Sequence, residues 1–400
     1  MNSRRLAVVS WFILVFWTVP ASSGQMVPSK GTPQTLEVAT WNIEWFGSPS
    51  NGPSDDPRQF DNVVRIIRDS DIDLWAVQEI ASGAAFSALL SELGEEYAGA
   101  LAPTSTSRGL GLGYVYKPTM LSNVYTREIL TDANSLTQFA GRPPFVLEAD
   151  LVTLQGVLRI IFINVHMKAF SESESYEKRL AASELLQNHI EGSVLDQSPL
   201  IILGDFNDLL IGSITPGRAS PYSNFVQATA DYDALTLDLQ LTGRNTWCGN
   251  STDCSFGSTI DQVVISNELE DMYRAGSVDH YDELLSAVAG YVSSTSDHLP
   301  AFALFDGIEN PVGAEPTPHF VTTEINTYPN PFRDWVVADI GIMPGEMVTI
   351  RLLDAIGRKV HESTGGRSIR LQTDRLAPGV YLLEAAAGSS HVGRRIVIRQ

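Results

Sequence analysis

Six apolar runs in the first three quarters of the chain end or begin in residues suited to acid–base or metal chemistry. Asn42 and Glu44 sit in "TWNIEW", Glu79 closes "LWAVQE", and Asn164 and His166 close "IIFINVH". Asp205 and Asn207 follow "LIILG", Asp261 opens "IDQVVI", and Asp297 and His298 precede "LPAFALF". Singly, each is read as a turn former or a solvated strand end. Together they are carboxylates, amides and two imidazoles, a set that can hydrolyse a phosphodiester. The phosphate is anionic and repels nucleophiles, so a hard divalent cation must neutralise one of its oxygens. Mg²⁺, with Mn²⁺ or Ca²⁺ as alternatives, takes oxygen ligands and Mg²⁺ needs few carboxylates from protein. Glu79 is the first expected ligand and Asp297 the second. Asn42 and Glu44 are two apart on a strand, face the same way, and could serve the same ion. The imidazoles, each oriented by a carboxylate, would supply acid, base or electrostatic help near neutral pH. No Gly-x-Ser-x-Gly or cysteine nucleophile is apparent, so water is the expected attacker.

Strands and helices must position these groups. "TLEVATWNIEWFG" begins with strand-like alternation, and "IDLWAVQEI", "LGYVYKP", "FVLEADLVTL", "LRIIFINVHMK" and "PLIILGDFND" read as further strands. "FDNVVRIIRDS" places Phe60, Val63, Val64 and Ile67 at helical spacing. "YEKRLAASELLQNHIEG" is expected to be a packing helix with Gly192 as its stop. Its Arg179 reads as a surface salt-bridge partner, and the acidic "SESESYE" before it as a solvated loop. Hairpin-like strand pairs are frequent, which favours two packed sheets with helices outside over a Rossmann sheet. From Gly307 the chain turns rich in Pro and Gly. After that only short strands separated by turn residues remain, which predicts a small all-β sandwich.

Four hundred residues fit two domains, and 44% hydrophobic residues can bury a core. From Phe320 to Gln400 ten Lys+Arg face eight Asp+Glu, a surplus of two, so the remainder carries −22 of the formal −20. Such a charge argues against a protein that coats nucleic acid electrostatically. It does not oppose an enzyme that meets a polyanion through a bound metal and a few local cations. Arg4 and Arg5, the apolar run Leu6 to Val19 and the small residues of "PASSG" read as a signal peptide over residues 1–24. That run is short for a membrane span, so no stable span is expected in the mature protein. Cys248 and Cys254 lie in "TWCGNSTDCSF", and an exported chain favours their pairing as a disulfide.

The order of "TWNIEWFG", "VQE", "NVHMK", "GDFND", "STIDQVVIS" and "SDHLP" resembles the endonuclease/exonuclease/phosphatase superfamily, from about Leu36 to Phe305. That resemblance implies a four-layered α/β sandwich and Mg²⁺-dependent phosphoester cleavage. It implies metal-site roles for Asn42, Glu79 and Asp297, with Glu44 where some members have a further metal-binding acid. His166 and His298 stand where the two catalytic histidines are expected, and Asp261 where an acid pairs with one of them, His166 or His298. Asp205 and Asn207 match the pair that orients water and phosphate. Tyr116 in "YVYKP" and Arg142 in "GRPPF" resemble phosphate contacts, with plain core packing as the alternative for Tyr116. Gln262 stands where many members have a histidine, a neighbour that is usually structural. "TYPNPF", "IRLLDAIGRKV", "LAPGVYLLEA" and "RRIVIRQ" resemble a type IX secretion C-terminal sorting domain.

The expected organisation is a signal peptide (1–24), a catalytic domain (36–306), a linker (307–322) and a sorting β-sandwich (323–400). The expected function is a secreted, metal-dependent, nonspecific endonuclease acting as a monomer on extracellular DNA, with the type IX machinery as partner of its tail. Asp261 and His166 would do acid–base work and His298 would stabilise the phosphorane. The alternatives are a sphingomyelinase-like phospholipase C, a phosphatase for small phosphoesters, or a binding protein on an inactive scaffold. An exposed aromatic hairpin would favour a membrane substrate, and none stands out.

Overall fold

The computed structural model describes residues 26–104, 110–193, 195–308, 325–340, 348–354, 358–366, 368–373, 376–387 and 390–399. The expected signal peptide lies outside them, as does nearly all of the expected linker. The first twelve strands are β1 (Leu36–Phe46), β2 (Leu74–Ile80), β3 (Ala98–Leu101), β4 (Gly111–Tyr116), β5 (Leu121–Glu128), β6 (Phe145–Thr153), β7 (Gly156–His166), β8 (Leu200–Asp205), β9 (Tyr232–Ala234), β10 (Asp261–Ser266), β11 (Asp279–His280) and β12 (Ala301–Phe305). Among the described residues they form two six-stranded sheets, ordered β11-β12-β1-β2-β4-β3 and β5-β6-β7-β8-β10-β9. Three longer helices cover them: α1 (Asp56–Ser70), α2 (Gly83–Leu93) and α3 (Ser173–Glu191).

Burial of both faces of both sheets makes this a four-layered sandwich, as the sequence predicted. Leu36, Val38, Leu74 and Tyr114 meet Phe145, Leu147, Phe162 and Leu203 between the sheets. On the outer face of the first sheet, Trp41, Trp75 and Val77 pack against Val63, Ile66 and Ile67 of α1 and Phe86 and Leu89 of α2. On the outer face of the second, Ile161, Ile163 and Ile202 pack against Ala182, Leu186 and Ile190 of α3. Two-sided burial explains why these strands read as near-continuous apolar runs. Helix α2 shows no contrasting stripe in the sequence, because Ala, Phe and Leu occur nearly all round it although only Phe86, Leu89 and Leu93 are buried. Helix α3 starts earlier than expected. Ser173 to Glu177 of the "SESESYE" run are helical and Ser175 and Tyr176 are buried. Glu174 lies in the first turn, where the helix dipole favours an acid.

Each sheet holds one parallel pair, β1 with β2 and β7 with β8, and a helix crosses over within each. The carboxyl ends of these four strands therefore converge at one end of the sandwich. Gly204 is required there. A Cβ on it would lie 2.0 Å from the Val165 carbonyl oxygen, and its φ is +151°. A polar lattice ties the sheets just beneath. Gln78 donates to Thr40 Oγ1 at 3.0 Å and to Asn164 Oδ1 at 2.9 Å, and Asn164 donates to the Val77 and Gly113 carbonyls at 3.1 and 2.9 Å.

The final part of the chain forms a three-stranded sheet (Ile325–Tyr328, Trp335–Ile340, Ser368–Gln372) and a four-stranded one (Val348–Leu353, Lys359–Gly365, Gly379–Ala387, Ser390–Arg399). Val336, Ile350, Leu352, Leu371, Leu383 and Val397 share its core.

Glu37 of β1 is fully buried beside Asp73. Burial first, and then the Asp73 charge, push its carboxyl up to about 9, so it keeps its proton at neutral pH and can donate it to Asp73. Burial raises the Asp73 carboxyl as well, against the pull of Lys117, whose Nζ lies 3.1 Å away. Between the ordinary carboxylate range and about pH 9 the unfolded chain has lost this proton while the fold retains it. Stability from this group is thus present at low pH and lost as pH rises through that window. Glu37→Gln is expected to flatten the fall of Tm between pH 5 and 9. Parallel Tm–pH curves for wild type and variant would contradict the assignment.

Candidate active site

The convergence of strand ends brings most of the singled-out residues into one cleft. Asn42 extends from β1 and its Nδ2 donates to Asp205 Oδ2 at 3.0 Å. Asn207 doubly engages the same carboxylate, its N donating to Oδ1 at 2.9 Å and its Nδ2 to Oδ2 at 3.0 Å. His166 points its Nε2 between Asp205 Oδ2 at 3.5 Å and Glu79 Oε1 at 3.9 Å. His298 Nδ1 lies 2.8 Å from Asp261 Oδ2, and its Nε2 lies 3.9 Å from Asp297 Oδ1 and 4.0 Å from Asp205 Oδ2. Asp261 is therefore the partner of His298. The pairing of Asp261 with His166 expected for acid–base work is corrected by strand order: β8 lies between β7 and β10, so Asp205, opposite both residues, separates Asp261 from His166.

Three acids form the more open side. The Glu44 carboxylate accepts the Asp297 N–H at 3.0 Å, the Glu79 carboxylate accepts the Trp45 N–H at 3.0 Å, and Asp297 Oδ2 accepts the Trp247 indole N–H at 3.0 Å. Backbone geometry aims them. Glu44, Trp45, Glu79 and Asn207 have φ of 41°, 54°, 61° and 52°, a region that non-glycine residues seldom occupy. The ladders of β2 with β1 and with β4 shift register at this point, which turns Glu79 into the cleft. Such strain persists where the surroundings over-determine it, commonly at functional sites.

The electrostatics divide the titratable groups. Burial would strip the proton from His298, but Asp261, Asp297 and Asp205 outweigh it and hold the imidazole well above its usual range. Burial, with Arg142 and His298 adding to it, keeps His166 neutral. The Asp205 carboxyl is pushed up to about 7 by burial, against the pull of His298 and with the push of Asp261. Burial and then the Asp297 charge raise Glu44 to about 7.

Two of the expected phosphate contacts fare differently. Arg142 donates from Nε to the His166 carbonyl at 3.1 Å and from Nη2 to the Met167 carbonyl at 2.9 Å. It clamps the end of β7, close enough to Glu79 and Asp205 to feel their charge. Tyr116 is not brought to the site. It pairs with Leu74, at the end of β2 remote from Glu79, and belongs to the core between the sheets. The antiparallel run of β4 puts its first residue, Gly111, nearest the cleft instead. Gln262 is structural as expected, its side chain bonded to Thr236 and to the Thr259 carbonyl.

The sequence reading missed three supports. Gln59 Nε2 donates to the carbonyls of Ile43 and Glu44 at 2.8 Å and of Thr295 at 3.0 Å, which fixes both acid-bearing segments. An amide on the buried face of an apolar helix was its available signal. Trp247, beside the Cys248–Cys254 disulfide, holds Asp297. Arg179 is no surface residue. It is fully buried against the equally buried Asp208, 2.8 Å away. Two aromatic rings, Phe170 and Phe256, stand 63% and 87% exposed on loops beside His166 and Trp247.

Residues 39–298 match the Endonuclease/Exonuclease/phosphatase family. The chain belongs to that family. Its members hydrolyse phosphoester bonds, and divalent metal dependence is typical of them. Asp205, Asp261 and His298 place ligand-type atoms within 4.8 Å of one another, a group that could hold a cation. Residues 326–399 match the Secretion system C-terminal sorting domain, which directs a chain by type IX secretion to the cell surface or beyond. No helix among the described residues is long and apolar enough to cross a membrane. Several solved structures are similar to the chain. Humanized D. rerio TDP2 aligns with a TM-score of 0.50 at 14% identity, covering 68% of this chain and 99% of its own. The human Nocturnin catalytic domain with bound sulfate gives 0.46 at 19% identity, over 69% and 95% of the two chains. A Bacteroides thetaiotaomicron mannosyl-6-phosphatase gives 0.46 at 14% identity, over 67% and 99%. No curated protein matches the chain.

Proposed function

We propose that this family hydrolase is a secreted, divalent-metal-dependent phosphodiesterase that cleaves extracellular DNA. The observation that carries the phosphodiesterase reading is His298, its Nδ1 2.8 Å from Asp261 Oδ2, in the same cleft as the Asp205–Asn207 pair and a group of open acids. Asn42, Glu44, Glu79 and Asp297 offer only oxygen to a cation, and burial and then the charges of Asp297 and Glu79 raise the Glu44 carboxyl among them. That donor set fits a hard cation such as Mg²⁺. In the Asp205, Asp261 and His298 group, Asn42 and Asn207 engage both Asp205 oxygens and His298 Nδ1 engages Asp261 Oδ2, which leaves Asp261 Oδ1 as its unengaged carboxylate oxygen. When bound, the cation would neutralise phosphate charge.

The chain's own groups do the rest. Asp205, raised toward neutrality, takes a proton from water that the Asn207 amide helps to orient. The His298 imidazolium offers its Nε2–H to a non-bridging oxygen as charge develops there. Neutral His166 donates or accepts at Nε2 beside Asp205. Residues 1–24 as a leader, 307–322 as a linker and action as a monomer complete the proposal. Supercoiled plasmid, sphingomyelin vesicles and sugar phosphates offered in parallel test it. Preferred hydrolysis of plasmid is expected, and hydrolysis of the lipid or sugar ester alone would overturn the DNA reading.

Glu79→Ala is expected to weaken Mg²⁺ binding, read by titration calorimetry, by at least about ten-fold. Unchanged binding would remove Glu79 from the metal site.

A further inference from the structure

The loop that follows His166 carries Lys168 and Phe170, and neither is accounted for by the chemistry above. Phe170 leaves 63% of its surface to water and adopts φ +79°, where an aromatic residue is strained. One exposed ring would mean little. This ring is held exposed at a cost in backbone strain, and a buried device holds it. Arg179 Nη1 donates to the carbonyls of Lys168 and Phe170, both at 2.7 Å. The same guanidinium donates from Nε to Asp208 at 2.8 Å. Asp208 is the residue after Asn207, so the Phe170 backbone and the Asp205–Asn207 turn are fixed to a common ion pair with no exposed surface. Lys168 Nζ stands 4.6 Å from the centre of the Phe170 ring. Its charge is felt at His166, and that of Arg142 is felt at Lys168. A cation beside the catalytic imidazole and an exposed ring beside that cation suit a phosphate that bears a flat ring.

We propose that Lys168 and Phe170 form a subsite at the rim of the cleft for a nucleobase attached to the phosphate under attack. Phe170 stacks on the base and Lys168 pairs with a phosphate oxygen. Stacking on an aromatic side chain accepts any base, which agrees with cleavage that ignores sequence. The inference deepens the nuclease reading and rests on it.

The test is steady-state cleavage of a single-stranded oligothymidylate and of the same strand with tetrahydrofuran in place of every thymidine. Wild type, Phe170→Ala and Phe170→Trp are compared as the full exported chain in Mg²⁺. The preference of wild type for the base-bearing strand in kcat/KM is expected to fall about ten-fold or more in Phe170→Ala and to survive in Phe170→Trp. Equal effects of Phe170→Ala on both strands, or no effect on either, would overturn the subsite and leave the nuclease reading standing. A wild type that nicks supercoiled plasmid but cleaves neither strand would overturn the subsite alone, and one that cleaves neither strand nor plasmid yet hydrolyses other phosphoesters would defeat the nuclease reading and the subsite together.

Discussion

Replacing His298 with Asn is expected to lower kcat for phosphodiester hydrolysis about 1,000-fold, the scale of a lost electrostatic stabiliser or general acid. Three carboxylates surround this imidazole: Asp261 at 2.8 Å, Asp297 at 3.9 Å and Asp205 at 4.0 Å. They outweigh the burial that would otherwise deprotonate it. The charge so favoured is buried, where it counts for more than in bulk solvent. Asn is chosen because its amide N–H can still meet Asp261, which keeps that fully buried acid from losing its partner. A large loss in kcat with Tm held near wild type is therefore the expected pair of readings. A kcat within ten-fold of wild type would assign the charge stabilisation elsewhere.

Arg179→Met is expected to destabilise the fold by about 3–5 kcal/mol, the range for breaking a buried ion pair by removing one partner. The arginine uses its guanidinium on Asp208, on the Lys168 and Phe170 carbonyls, and on Thr215 Oγ1 at 3.2 Å. Methionine fills much of the space but leaves Asp208 charged and buried. Asp208 retains only the N–H groups of Leu209 and Ile214 and the Ser213 hydroxyl. Urea unfolding reads this directly. A midpoint close to wild type would mean that the loops carry the pair without depending on it. Because the pair joins the turn after β7 to the turn after β8, the surviving folded fraction should also lose activity.

What could be read in advance, and what could not, follows from the range of each interaction. Strand ends such as "GDFND" and "SDHLP" are local, so their residues could be picked out before their partners were known. The two-sheet architecture was legible because hairpin-like strand pairs are frequent, and each sheet has only one parallel pair. The partner of Asp261 was not legible. It depends on β8 lying between β7 and β10, which sets Asp205 between Asp261 and His166, a long-range fact that the alternation within a strand does not carry. Tyr116 failed for a related reason: strand pattern shows which face a residue occupies, not which end of the sheet it occupies. Arg179 was misplaced because a lone arginine among helix residues is ordinarily solvated, and only the packed turns reveal that it is enclosed. The positive φ values at Glu44, Glu79 and Asn207 left no trace in residue type beyond the asparagine.

Metal-dependent DNA cleavage through His298 is read by conversion of supercoiled plasmid to the open circle by the full exported protein, in Mg²⁺ and again in EDTA, beside His298→Asn. Nicking in Mg²⁺, abolished by EDTA and reduced about 1,000-fold in the variant, is the predicted result. Plasmid left intact by folded wild-type protein in Mg²⁺, Mn²⁺ and Ca²⁺ alike would contradict it.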